Sequence, residues 1–381
     1  MTSCNVCGNA ALSNIYESPA NLSITTMNKP ISGKTRVYFC DMCGHLQTSE
    51  LPDLVAYYAQ EYEINLSSEE DDQLYKVVDG KPVYRADHQA AVLMSKVSFQ
   101  AGCRVLDYGC AKSPTLRKVL AAHPDIEPCL FDVTDKYIPF WERFPKRPLW
   151  SVHQPDPSWH GTMDVVLSFY ALEHVGNLSE AMGNIKDLLR PGGIFYFLVP
   201  NVYQNVADFI VADHINHFSA SSLRAMLQRE GFGEIEVDDG SHEAAFVVRA
   251  CYGTPGGGAG GADIVAQHKA AHEMAVYWKG IVGRIREFEA SIGEGAVAIY
   301  GAGFYGSFIS SVLQDPQRVC CIIDQNRHLQ GRELNGKLIL APDQLPAEVA
   351  HILVGMNPRN ARASIGAIPG WDSRGLSFFF L

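Results

Sequence analysis

Two cysteine pairs stand near the start of the chain, Cys4-Asn5-Val6-Cys7-Gly8 and Cys40-Asp41-Met42-Cys43-Gly44, with 32 residues between Cys7 and Cys40. Cysteines two residues apart can bite one metal ion from a tight turn. A glycine after the second cysteine lets backbone N–H groups swing toward sulfur. Four thiolates close a tetrahedral site and leave no open position, so Zn2+ on Cys4, Cys7, Cys40 and Cys43 is structural; the plain alternative is four ordinary thiols. A second set consists of acids at the ends of apolar runs. Asp107 ends Val105-Leu106, and Asp132 ends Pro128–Phe131 25 residues later, placed to accept hydrogen bonds from two ribose hydroxyls or simply to shape a turn. A third set is imidazoles, in Glu173-His174-Val175 and in Asp213-His214-Ile215-Asn216-His217. Histidine titrates near neutral pH and suits a general base. Last comes Gly301-Ala302-Gly303-Phe304-Tyr305-Gly306, with Asp324 18 residues after Gly306. Alone, this reads as a dinucleotide fingerprint and implies a fused oxidoreductase.

These residues need a frame. From residue 103 short apolar strands alternate with helices: strands at 103–107, 128–131, 164–169 and 194–199, helices at 116–122 and 178–190, and a turn at Arg190-Pro191-Gly192-Gly193. This rhythm specifies an α/β fold with a parallel sheet and helices on both faces. The glycine-rich run Gly253–Gly261 breaks the chain, residues 262–291 read as a long helix, and a second βαβ block starts at residue 296. The expected division is a zinc lobe over 1–60, a first Rossmann-like domain over 61–252, a linker and helix over 253–295, and a second Rossmann-like domain over 296–381. Residues 55–100 read as a polar helical segment. There Tyr57, Tyr58, Tyr62 and Tyr75 surround Glu69-Glu70-Asp71-Asp72, a solvated face or a cover for an active site.

Composition narrows the function. In 381 residues, 42 acidic side chains against 31 Lys and Arg give a net charge of −11, which argues against nucleic-acid binding. No run of 18 apolar residues suggests a membrane span, and Met1-Thr2-Ser3-Cys4 does not start a leader. Ten cysteines with no leader fit a reducing cytoplasm.

Val105-Leu106-Asp107-Tyr108-Gly109-Cys110-Ala111, Leu172-Glu173-His174-Val175 and Leu188-Leu189-Arg190-Pro191-Gly192-Gly193, in that order, resemble the motifs of class I S-adenosylmethionine-dependent methyltransferases. The resemblance implies a cofactor site made by Asp107, Gly109, Ala111, Asp132, Phe169, Glu173 and His174. Where the family commonly has three glycines, this chain has Gly109, Ala111 and Ser113, all small. The loop His153–His160 is a candidate for the adenine.

The full layout resembles the nucleotide-sugar C-methyltransferases: a four-cysteine lobe, the methyltransferase core, then Ile299–Gly303, Ile322–Asn326, Gln330–Gly336 and Leu340–Leu345. That resemblance implies methyl transfer to a carbon beside the ketone of a nucleotide-linked keto-deoxysugar, through an enolate. It places the catalytic base in Asp213-His214, where the family carries Glu-His. His214 is the base, and Asp213 raises its pKa or serves the substrate. His217 shares a helical face with it or donates to the enolate oxygen. His174 is the main competitor but is expected to shape the cofactor pocket, and His217 and Tyr62 are the next candidates for the base. Gly301, Gly303 and Asp324 would hold the substrate nucleotide. The competing expectations are an O- or N-methyltransferase on a small metabolite, and a non-catalytic interaction protein built on the same scaffold.

Overall fold

The computed structural model describes residues 3–19, 21–49, 72–254, 263–293 and 295–381. Tyr57, Tyr58, Tyr62 and the run Gly256–Gly261 lie outside the described residues. The chain forms two compact units, the first comprising Met1–Asn14, Val37–Gln204 and His214–His268, the second Ile15–Arg36, Asn205–Asp213 and Lys269–Leu381. The cysteine pairs therefore share a unit with the first sheet, while most of the chain between them belongs to the second unit.

In the first unit the strands are β1 (Arg104–Tyr108), β2 (Glu127–Asp132), β3 (Leu149–Val152), β4 (Met163–Phe169), β5 (Leu189–Pro200), β6 (Phe232–Asp238) and β7 (Ala245–Tyr252). They form one sheet in the order β3-β2-β1-β4-β5-β7-β6. Every pairing is parallel except those of β7, which runs against both neighbours. The central strands send apolar side chains to both faces, as in Val105-Leu106 and Val165-Val166-Leu167, because both faces are covered. On one face Ala90 and Leu93 of α1 (Arg85–Lys96) and Leu116 and Val119 of α2 (Pro114–Ala122) cluster with Val105 and Leu167. On the other, Met182 and Ile185 of α3 (Leu178–Leu188) and Leu223 and Leu227 of α4 (Ala220–Arg229) cluster with Leu106, Val166 and Phe197. That second cluster also contains Cys4, Val6, Cys40 and Cys43, so the cysteine pairs share the core of the sheet.

Two expectations are corrected. Residues 74–84 are not helical: Leu74–Val78 and Lys81–Tyr84 pair as a hairpin. Its turn, Asp79-Gly80, has φ of 50° and 70°-class left-handed geometry at Gly80 (φ 73°), which an Asp-Gly pair adopts readily. Nor do His214 and His217 share a helical face. Asn216-His217 is a short strand paired antiparallel with Leu46-Gln47, and Leu46–Thr48 pairs in turn with Val37–Phe39.

The second unit has β8 (Val297–Tyr300), β9 (Val319–Ile323), β10 (Glu333-Leu334), β11 (Lys337–Leu340), β12 (His351–Val354) and β13 (Ser377–Phe380), in the order β10-β11-β9-β8-β12-β13. All pairings are parallel but β10–β11. The unit also contains α5 (Ile264–Ser291) from Lys269 onward, α6 (Phe304–Val312) and α7 (Pro358–Gly366). Among the described residues no helix is long and apolar enough to cross a membrane.

The glycines of the second fingerprint serve mainly for packing. A Cβ on Gly306 would lie 2.0 Å from the carbonyl oxygen of Gly301, one on Gly301 2.3 Å from that of Gly355, and one on Gly355 2.7 Å from Gly306. Three backbones thus touch where α6 meets the ends of β8 and β12. Only Gly303 has open space around it. Gly306→Ala should destabilise the second unit by about 1–3 kcal/mol, the cost of overpacking a filled site. Gly303→Ala should cost well under that, and chemical denaturation of the two variants checks the difference.

Candidate active site

A cavity of about 1130 Å³ opens at the carboxyl ends of β1, β2 and β4. Neighbouring β1 and β4 send their chains to opposite sides of the sheet there, and such a crevice is where open α/β sheets bind ligands. Pockets for a drug-sized ligand typically measure ~300–1,000 Å³, so this cavity is large enough for a cofactor of that size.

Its floor is the loop after β1. Gly109 (φ 71°), Ala111 (φ 46°) and Ser113 (φ 53°) all occupy the left-handed region, although two of them carry a Cβ. Side-chain hydrogen bonds hold them there. The Ala111 N–H donates to Asp132 Oδ2 (2.8 Å), Trp141 Nε1 donates to the Ala111 carbonyl (2.7 Å), and Ser113 Oγ donates to Asp107 Oδ2 (2.5 Å). Gly109 must be glycine for a reason other than ligand space: a Cβ there would lie 2.8 Å from the Cβ of Ala171, just beyond β4.

Both acids are buried. Burial pushes Asp107 up to about 7, against the Ser113 hydrogen bond and with Asp132 adding to the rise. Its Oδ1 is buried and accepts no hydrogen bond among the described residues. Burial likewise lifts Asp132 to about 6, although backbone N–H groups, including those of Ala111 and Thr134, lower it. Asp132 is thus a turn-former and a cavity residue at once.

Of the expected cofactor residues, Asp107, Gly109, Ala111, Asp132, Phe169 and His174 line the cavity, as do His153 and His160. Glu173 does not. It is 1% exposed, and its carbonyl accepts the Ile215 N–H (2.8 Å), because the short 3₁₀ turn Leu172–His174 turns it inward. Among the expected catalytic residues, Asp213, His214 and His217 are all buried away from the cavity wall. Asp213 accepts from the Thr26 N–H (2.8 Å) and Thr26 Oγ1 (2.6 Å) within the second unit. His217 is fully buried with Nε2 2.7 Å from Thr48 Oγ1, as its place in a strand dictates. His214 packs edge-on against His174, ring centroids 4.7 Å apart. Of His174, His214 and His217, the one that lines the cavity is therefore His174.

The sequence offered no signal for Asn216. It is 1% exposed; its Nδ2 donates to the carbonyls of Leu172 (3.0 Å) and Val175 (2.7 Å), and its Oδ1 accepts from Asn5 Nδ2 (3.0 Å) and lies 3.3 Å from His45 Nε2. It ties the turn carrying His174 to the first cysteine pair.

Residues 83–237 match the family model of the methyltransferase domain. This region is a class I S-adenosylmethionine-dependent methyltransferase domain. Among solved structures the chain is similar to the CMeT domain of the citrinin polyketide synthase at 18% identity and a TM-score of 0.37, over 43% of this chain and 50% of that one. It is also similar to a structure of the Haloferax volcanii Trm112 methyltransferase activator with a methyltransferase (16% identity, TM-score 0.39, 45% of this chain and 91% of that one). A third is the YcgJ protein of Bacillus subtilis (14% identity, TM-score 0.35, 44% and 99%). The chain thus spans half the length of the citrinin synthase chain it matches. No curated protein matches the sequence significantly.

The methyltransferase cavity fits its cofactor chemically. An ammonium group suits the unpartnered Asp107 oxygen, and hydroxyls suit Asp132. S-adenosylmethionine supplies, when bound, an electrophilic methyl group on a sulfonium. The raised acids set a pH dependence. Below about 7 Asp107 is protonated in the free protein and cannot pair with a cation, so affinity should rise with pH. The same shift weakens the free fold: between its unfolded value near ~3.9 and about 7 the native state holds a proton the unfolded chain releases, so stability falls as pH rises through that window. Calorimetry should show S-adenosylmethionine affinity improving on the order of tenfold from pH 5.5 to 7.5, with proton release. Asp107→Asn should bind weakly with that dependence flattened.

Proposed function

We propose that this protein transfers a methyl group from S-adenosylmethionine to a carbon beside the ketone of a nucleotide-linked keto-deoxysugar. The observation that supports it best is the imidazole pair at the end of β4. His174 faces the cavity two residues beyond Ala171–Leu172, and His214 backs it edge-on. A proton next to a ketone needs a positioned base near neutral pKa, worth roughly 10²–10⁴ in rate. We assign that base to His174 and a positioning role to His214, which fixes the ring of its neighbour. Asp213 and His217, already satisfied by Thr26 and Thr48, serve the fold.

The second unit is assigned to the nucleotide. Gly303 leaves its backbone approachable, and Asp324 shapes the loop by accepting the Ala302 N–H (2.8 Å) and the Asn326 N–H (2.8 Å). Gly301 belongs to the packing.

His174→Asn should abolish exchange of the substrate α-proton with deuterated water, while S-adenosylmethionine affinity stays within a few-fold. His214→Asn should slow exchange without abolishing it. Exchange retained in His174→Asn would move the base elsewhere. A methyl on oxygen or nitrogen in the product NMR spectrum would replace the enolate route with the simpler O- or N-methylation.

We also assign Zn2+ to the four cysteines. The Cys4–Cys43 and Cys7–Cys40 sulfurs lie 3.7 and 3.5 Å apart, and all four lie within 4.8 Å of one another. A tetrahedron with ~2.3 Å Zn–S bonds has edges of about 3.8 Å, which matches. Both turns are built as knuckles: the Gly8 N–H donates to the Cys4 carbonyl (2.9 Å) and the Gly44 N–H to that of Cys40 (2.9 Å), each glycine with positive φ. The Cys43 hydrogen bond holds the Cys4 thiol below its ordinary range, the direction a metal-binding thiolate requires. Metal analysis should find about one zinc per chain. Cys40→Ser should lose it together with several kcal/mol of stability, since metal affinity is folding energy in such lobes. A zinc-free protein of unchanged stability would remove the assignment.

A further inference from the structure

The second unit has a cavity of its own, of about 310 Å³, at the lower end of the ~300–1,000 Å³ common for small-molecule pockets. Two helices and a hairpin make it. Trp278, Val282 and Arg286 of α5 line it, and so do Phe304, Phe308 and Val312 of α6. Residues four apart lie on one side of a helix, so each helix turns a single stripe toward the space. Leu22 and Ile24 line it from the hairpin in which Leu22–Ile24 pairs with Pro30–Ser32. The wall is thus apolar and rich in aromatic rings, which favours an aromatic body packed against it.

Most polar groups in the wall are committed to the fold. Ser23 Oγ donates to the Gly33 carbonyl (2.8 Å) and lies 2.7 Å from Thr35 Oγ1, while Ser18 Oγ accepts the Thr35 N–H (3.2 Å). Ser311 Oγ donates to the Phe308 carbonyl (2.7 Å), and the Trp278 indole N–H donates to the Val206 carbonyl (2.8 Å). Tyr16 and Arg286 differ. Tyr16 lines the cavity at 3% exposure, its ring edge-on to Phe209, and its hydroxyl has no hydrogen-bond partner among the described residues. Burial, unopposed by any hydrogen bond, raises its pKa, so the group stays an O–H donor at neutral pH. Arg286 is exposed at the mouth. Its Nε donates to the Val312 carbonyl (3.3 Å), where both helix stripes end, and its terminal nitrogens have no carboxylate partner among the described residues.

A buried O–H donor with its bond unmade is costly, and an oxygen on a ligand relieves that cost. The two anchors lie at different depths, a neutral donor inside and a cation at the mouth. Arg286 is the one charged residue in the lining, so the site suits a single negative charge rather than a phosphate or a nucleotide.

We propose that this cavity binds a small aromatic carboxylate that carries an uncharged oxygen opposite its carboxylate, with Arg286 pairing the carboxylate and Tyr16 donating to the oxygen. The proposal is independent of the methyl-transfer reading. Three probes separate the anchors: para-acetylbenzoate, para-ethylbenzoate, which lacks the carbonyl oxygen, and acetophenone, which lacks the carboxylate. Calorimetry on the full chain should show wild type preferring para-acetylbenzoate about tenfold over each of the others, with or without S-adenosylmethionine. Arg286→Ala should remove the preference over acetophenone while binding acetophenone within about threefold of wild type. Tyr16→Phe should remove the preference over para-ethylbenzoate while binding that probe within about threefold of wild type. The retained probe reports that each variant is folded. Preferences that survive both substitutions, or probes displaced by S-adenosylmethionine, put the ligand elsewhere and overturn the proposal. Wild type that binds none of the three at millimolar concentration overturns it too, and leaves the methyltransferase assignment standing.

Discussion

The cavity depends on one backbone constraint, the left-handed conformation held at Gly109, Ala111 and Ser113. For residues with a Cβ that conformation costs about 1–2 kcal/mol each. Asp132, Trp141 and the Ser113–Asp107 bond offset the cost by fixing the loop from three directions. Asp107 and Asp132 therefore have two tasks. Each satisfies the loop with one oxygen, and the burial that this requires raises its pKa. Recognition of a cation and of hydroxyls is built on the same atoms that make the loop possible.

The second unit repeats the device with a different outcome. Asp324 at the end of β9 holds Ala302 just as Asp132 at the end of β2 holds Ala111. In the first unit the space above the loop is a large cavity. In the second, Gly301, Gly306 and Gly355 bring three backbones into contact, and the close approach is used by the protein itself. A glycine-rich turn after a strand is thus not by itself a dinucleotide site.

In the first unit, Asn216 links cysteine pair and cavity. Four hydrogen-bonding positions of one buried amide connect Asn5, His45 and both ends of the turn that carries His174. A buried amide with all its bonds made specifies one arrangement, because any shift leaves a polar group unpaired. The cysteine pairs consequently bear on the active-site turn through directed bonds as well as through the shared apolar core.

Sequence alone determined the parallel strands β1, β2, β4 and β5, the helices α2 and α3, the four-cysteine set and the acids at the ends of β1 and β2, but not β3, α4 or the antiparallel β6 and β7. These follow from local signals: period and apolar runs, fixed cysteine spacing, and acids where a strand stops. It misread residues 74–84 because a polar segment was given weight over the Asp79-Gly80 turn. Only the tertiary structure decided which of His174, His214 and His217 faces the cavity. His174 and His214 are 40 residues apart in sequence, and their 4.7 Å contact depends on Asn216-His217 pairing with Leu46-Gln47, a register no local pattern encodes. It likewise decided that Gly301 packs while Gly303 stays open, and that Tyr16 and Arg286 line one cavity. Each of these depends on which atoms a distant segment brings alongside, and long-range packing rather than residue type fixes that.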